Sequence, residues 1–273
     1  MIAKGDPTSP RISPSSTAGA AVAGSRARGF TIVELMVVIG IITTLLALMF
    51  PAIRTVRLAS WNSEDLSQIR QLGVAHLAFQ QINSDRFVDV GLPHGGYGDT
   101  ARSFVEKLEP FLGTAIMQSP LDQSPYWEAA YQESEGTDPI RRRTSYGMNN
   151  YLSRNYSPRV ALEGPGAAAD RFSRVQDPDQ VVAFVHMTPT GAFAVSDHPH
   201  VENWSFGPEP WRLASDQVCI YAAEGSPSQS ELSESNYGFV DGATATLRFE
   251  QVYENVQRNR FDPDADRPLS GGV

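Results

Sequence analysis

The feature that most constrains this chain is the run FTIVELMVVIGIITTLLALMF at residues 30–50, in which Glu34 is the one charged side chain. As a helix rising about 1.5 Å per residue it spans roughly 32 Å, the thickness of one bilayer hydrocarbon core. The run is too long for the apolar stretch of an ordinary secretory signal, and no A-x-A-like cleavage site follows it. It is therefore expected to stay with the protein as a membrane helix. A carboxylate inside such a helix is costly, about 2.5–3.5 kcal/mol at mid-membrane and less near the end where Glu34 lies. Either Glu34 snorkels to the headgroups or a partner group compensates it.

Residues 1–29 are rich in Ser, Pro, Gly and Ala and hold almost nothing large and apolar, so they cannot pack a core and read as a leader. The whole chain carries a formal charge of -9, and the leader holds Lys4, Arg11, Arg26 and Arg28 against Asp6. The body beyond residue 29 is therefore more acidic still, at -12. That balance argues against a grip on phosphate backbones, and no nucleic-acid partner is expected. The single cysteine, Cys219, allows no intrachain disulfide and no cysteine-based zinc cluster, and reads as a small buried residue on a strand.

Gly29 followed by Phe30-Thr31-Ile32-Val33-Glu34-Leu35, an unbroken apolar helix, and Pro51 closely resemble the prepilin signature of type IV pilins and type II secretion pseudopilins. The resemblance implies cleavage after Gly29 by a membrane prepilin peptidase and methylation of the new amino group on Phe30. It makes Glu34 the fifth residue of the mature chain, placed to meet the N-terminal ammonium of a neighbouring subunit. An ion pair in low dielectric then offsets the burial of both charges and penalises other axial registers. Glycine before the cut suits a peptidase that draws an extended backbone close. Pro51 removes one helical hydrogen bond and should kink or loosen the helix there. Arg11, Arg26 and Arg28 on one side of the apolar run are matched by Arg54, Arg57 and Arg70 on the other, so charge alone does not orient it. The resemblance implies a single-pass protein of the bacterial inner membrane, leader cytoplasmic and body periplasmic or extracytoplasmic.

Beyond Pro51 the apolar positions Val56, Leu58, Ala59, Leu66, Ile69, Leu72, Ala75, Leu77, Phe79 and Ile82 recur at spacings of three and four, which predicts an amphipathic continuation of the helix to about Asn83. Residues 84–100 carry a glycine-rich loop without phosphate-loop spacing. Residues 101–113 read as a short helix with Phe104, Leu108, Phe111 and Leu112 inward, capped by Asp99 or Thr100. Gln118 to Arg143 is polar and turn-rich and is expected to be a surface excursion. Strands are expected at 181–187, 192–196, 217–223, 236–240 and 243–249, with Asp241-Gly242 turning the last hairpin. The fold class is thus α+β: a long N-terminal membrane-spanning helix continuing into an antiparallel sheet head, pilin-like in the terms of the resemblance. The expected division is leader 1–29, assembly helix 30–53, amphipathic half 54–83, head 84–261 and a flexible tail 262–273.

Ser119-Pro-Leu-Asp122, Ser145-Tyr-Gly-Met-Asn149 and Asn236-Tyr-Gly-Phe-Val-Asp-Gly242 resemble phrases of a pseudopilin-like subset that closes with an H-x9-DG motif. Two positions depart from it: Ser119 stands where the subset has cysteine, and Glu231, ten residues before Asp241, where it has histidine. Asp197-His198-Pro199-His200 with Glu202 is the most metal-like cluster, since imidazole and carboxylate suit zinc, yet it reads first as a solvated loop. Asp241, Glu231 and Glu234 form a weak calcium candidate, and Asp262, Asp264 and Asp266 read as a charged tail because Arg267 replaces the glycine a calcium loop needs. No cofactor is expected.

Neither a G-x-S-x-G elbow nor an H-E-x-x-H helix is present, and the chain is expected to be an enzyme's substrate and not an enzyme. The expected partners are the prepilin peptidase, other pilin or pseudopilin subunits and an inner-membrane assembly platform. The rival reading is a singly anchored extracytoplasmic binding or sensor protein that uses the signal for delivery, with exposed Trp204 and Trp211 near His198 and His200 for sugar stacking. A tethered hydrolase is a third reading, disfavoured by the missing constellation.

Overall fold

The computed structural model describes residues 29–92, 94, 103–112, 114–131, 139–224 and 229–268. The chain falls into two units, Met1–Phe50 and Pro51–Val273. In the first, Gly29, Phe30 and Thr31 lie outside regular secondary structure and helix α1, Ile32–Ile82, begins. Every described residue of this unit is exposed, as a helix that is apolar on all sides must be when it has no neighbour. Pro51 lies inside α1 without ending it. The proline has no N–H to offer, and Thr55 Oγ1 donates to its carbonyl at 3.2 Å.

The second unit is built on a four-stranded antiparallel sheet in the order β1 (Tyr146–Met148), β2 (Val182–His186), β3 (Glu234–Phe239), β4 (Thr244–Arg248). Helix α2 is Phe104–Leu112, and the short helices α3 (Pro158–Glu163), α4 (Pro210–Ser215) and α5 (Phe249–Val252) punctuate the connections. A second ribbon pairs β5 (Tyr253–Asn255) with β6 (Arg258–Asn259). One core cluster gathers Ile69 and Leu72 of α1, Phe104 and Leu108 of α2 and Phe184 of β2. The other surrounds Trp204 with Val185, Tyr237, Phe239, Phe249 and Phe261. Because β2 feeds both clusters, all five of its residues are buried, which is why VAFVH lacks the alternation of a one-faced strand.

The β3–β4 hairpin turns where Asp241-Gly242 predicts it. Asp241 Oδ1 accepts from Ala243 N at 2.9 Å, and Gly242 sits at φ 88°. A Cβ built on Gly73 of α1 would lie 3.0 Å from Gly242 Cα, so this turn docks directly on the helix backbone.

Several expectations are corrected. Residues 192–195 form a 3-10 turn in place of a strand, and 217–223 contributes one bridge, Val218 with Met187. Phe193, Val218, Ile220 and Tyr221 pack in the second core cluster instead of extending the sheet. In α1 the buried positions are Asp65, Ile69, Leu72, Gly73, Ala75, His76 and Gln80, whereas Val56, Ala59 and Ile82 of the predicted stripe are exposed. Phe111 of α2 is also exposed. The polar run 118–143 is not purely a surface excursion, since Ser119, Ser124 and Arg142 are buried. Residues 262–268, expected as tail, are held: Arg159 pairs with Asp262 and Asp264, and Asp266 bridges Arg258. Leader residues 1–28, tail residues 269–273 and the Asp99 or Thr100 cap fall outside the described residues.

Candidate functional site

The head brings its distinctive phrases together on one carboxylate. Asp65 of α1 is fully buried; Tyr146 OH donates to Oδ1 at 2.8 Å, and Ser119 Oγ donates to the same oxygen. Asn236 Nδ2 donates to Oδ2 at 2.7 Å, and His186 Nε2 lies 2.8 Å from it. Burial alone would raise the Asp65 pKa. The charge and hydrogen bond of His186, with the bonds from Ser119 and Asn236, outweigh it and hold the carboxyl below its usual range. A similar hub holds the loops: Arg142 Nε donates to Asp122 at 2.6 Å while its terminal nitrogen Nη1 donates to the carbonyls of Thr188 and Ala194. Both hubs satisfy buried charge with several partners, which is the pattern of structural polar networks.

The metal candidates are distributed differently from their sequence grouping. Glu231 and Glu234 lie at one end of β3 and Asp241 at the other, so the three carboxylates do not share a site. Asp197 and His198 are fully buried, correcting the solvated-loop expectation. Asp197 accepts from Gly91 N and Leu92 N, both at 3.0 Å, and from Ser103 Oγ at 2.8 Å, and its Oδ1 lies 2.9 Å from His198 Nδ1. His200 Nδ1 lies 3.1 Å from Glu202. His94 packs at 5.4 Å from the His200 ring, a neighbour from 106 positions upstream that spacing does not reveal. Among the described residues no three His, Cys, Asp or Glu side chains are placed to hold a metal ion. Trp204, expected to be exposed, is fully buried and donates its indole N–H to Gln217, because it plugs the second core cluster. Cys219 is half-buried, off any strand, and burial pushes its thiol up to about 12.

The N-terminal segment presents unburied apolar surface along residues 30–50. Gly29 has no heavy atom within 4 Å of where a Cβ would stand, and it and Phe30 are exposed and outside regular secondary structure. Thr31 and Glu34 then close a capping box: Glu34 N donates to Thr31 Oγ1 at 3.2 Å, and Thr31 N donates to Glu34 Oε2 at 2.9 Å. Thr31 Oγ1 also donates to that oxygen at 2.8 Å. The T-x-x-E pattern ahead of an apolar run is the sequence signal for this cap. α1 is long and apolar enough to cross a membrane.

Residues 24–50 match the family model described as the prokaryotic N-terminal methylation motif. The segment is consistent with a prepilin-type signal. No curated protein and no solved structure matches the chain. Together with the apolar helix and the four-stranded antiparallel sheet, the methylation motif supports a prepilin-like protein of α+β, pilin-like architecture. It fits a single-pass protein of the inner membrane, implies processing by prepilin peptidase and assembly with other pilin subunits, and indicates a structural subunit, a class usually without catalytic activity.

Proposed function

We propose that this chain is the precursor of a structural filament subunit, cut between Gly29 and Phe30, N-methylated, and polymerised through residues 30–50 into a type II secretion pseudopilus or type IV pilus-like fibre. The supporting observation is the coincidence of the methylation motif at 24–50 with an accessible Gly29–Phe30 bond and an unburied apolar helix. An inner-membrane platform would extract the subunit, with the leader cytoplasmic and the head extracytoplasmic. In the isolated chain the Glu34 carboxylate is occupied by Thr31; in a fibre the ammonium of a neighbouring Phe30 competes for it, and a full opposite charge in low dielectric wins over two neutral donors.

Intact-mass measurement of the protein from cells with active peptidase should give a chain starting at methylated Phe30. A chain still carrying residues 1–29 under those conditions contradicts the proposal. Glu34→Ala should leave cleavage largely intact and reduce filament yield, and equal yield would remove the ion pair from the account.

A further inference from the structure

We propose that the head binds an anionic sugar unit, a pyranose bearing a carboxylate or phosphate, in a cavity of about 390 Å³ between the end of α1, α2 and the 154–155 loop. Arg86, Lys107 and Arg154 line it together with Asn83 and the ring of Phe79. In a chain of net charge -9, three cations lining one cavity reverse the overall sign locally.

The nearby carboxylates do not neutralise them. Arg86 Nη1 and Arg154 Nε both donate to the same oxygen of Asp170, at 2.5 and 3.0 Å, and Arg174 Nη1 reaches its other oxygen at 3.4 Å. Three guanidinium groups thus share one carboxylate. Arg154 spends only Nε there, which leaves its two terminal nitrogens for a ligand oxygen pair. Asp89, also in the wall, is taken up by Val90 N, Ser153 Oγ and Asn155 Nδ2, and so fixes the loop that carries Arg154. Lys107 is exposed and forms no ion pair among the described residues, and the adjacent Glu106 is paired with Arg143. Counting Arg86, Lys107, Arg154 and Arg174 against Asp89 and Asp170 leaves an excess of two positive charges.

The volume argues for more than a bare oxyanion. A cluster of cations at one side, the Asn83 amide, and the half-buried Phe79 ring as an apolar wall match a ring with hydroxyls and one acidic substituent. Binding of this kind needs no assembly, so it stands apart from the filament proposal.

Titration calorimetry on the full chain in detergent, with glucuronate, glucose 6-phosphate, glucose and inorganic phosphate as probes, tests it. At least one acidic sugar should bind saturably, tenfold or more tighter than both glucose and inorganic phosphate. Binding by glucuronate alone assigns the carboxylate, and by glucose 6-phosphate alone the phosphate. Lys107→Gln should weaken the interaction about tenfold with an unchanged circular dichroism spectrum, whereas Arg248→Gln, a cation removed elsewhere on the head, should leave it intact. The proposal is overturned if neither acidic sugar saturates, if inorganic phosphate binds as tightly as the sugar phosphate, or if Lys107→Gln binds like the parent.

Discussion

Asp65 shows what a single side chain does for this head. Four side chains from 119, 146, 186 and 236 converge on it, so truncation leaves several buried donors without an acceptor. Asp65→Ala should destabilise the head by about 3–5 kcal/mol, read as a drop in the urea midpoint, and Asp65→Asn by less because the amide still accepts one bond. His76 acts through protonation. Burial lowers its pKa from 6.5 to about 3, and its Nε2 accepts from Val88 N at 3.2 Å, so the folded state holds it neutral. Between those two values the unfolded chain binds the extra proton, and stability falls as pH drops from about 6.5 towards 3. Asp65, with its depressed pKa, loses stability in the same direction. Melting temperature should therefore decline on acidification from pH 7 to pH 5, and His76→Gln should flatten that slope even though it is less stable at pH 7. An unchanged slope in the variant would assign the effect elsewhere. Sequence inspection reached Ser119, Tyr146 and Asn236 as members of recognisable phrases but not their shared partner. Asp65 stands alone among solvated helix residues, and only the third dimension supplies the donors.

At the level of elements, the outcome depended on whether local pattern or long-range packing decided the structure. α1, α2 and the two strands of the closing hairpin were legible because apolar spacing, β-branched content and Asp241-Gly242 act locally. The strand β1 was not, since YGM is three residues long and is defined by pairing Tyr146 with His186. Strands expected at 192–196 and 217–223 failed for the converse reason: their composition suits a sheet, but those residues pack on the second core cluster instead of extending the sheet. The candidate site divides in the same way. The Gly29, Phe30 and Glu34 pattern is contiguous and was readable, whereas the cavity cations come from three separated segments. The Gly73–Gly242 approach sets a steric requirement on the hairpin. Gly73→Val should force the turn off the helix and cost about 1–3 kcal/mol of unfolding free energy, with no effect on the cut at Gly29.

For the molecule as a whole, the division at Phe50/Pro51 separates a unit with no buried residue among those described from one with two clusters of buried apolar residues. The second unit holds both core clusters, and the first carries the unburied apolar surface through which association is proposed. Single cysteines placed across 35–48 in a Cys219→Ser background should therefore crosslink into a ladder of oligomers in membranes, and the same series placed on β4 should not. A monomer throughout would favour the anchored-receptor alternative.

Two of the four tryptophans contrast in environment. Trp204 is sealed inside an aromatic cage with Phe249, Tyr253 and Phe261, whereas Trp61 on α1 remains partly open beneath the Arg57 guanidinium. Emission from the first should be blue and insensitive to added quencher until the outer layer melts. Light from the second should shift when a neighbouring molecule covers α1. Variants retaining only Trp204 or only Trp61 can thus tell loss of the head apart from lateral association.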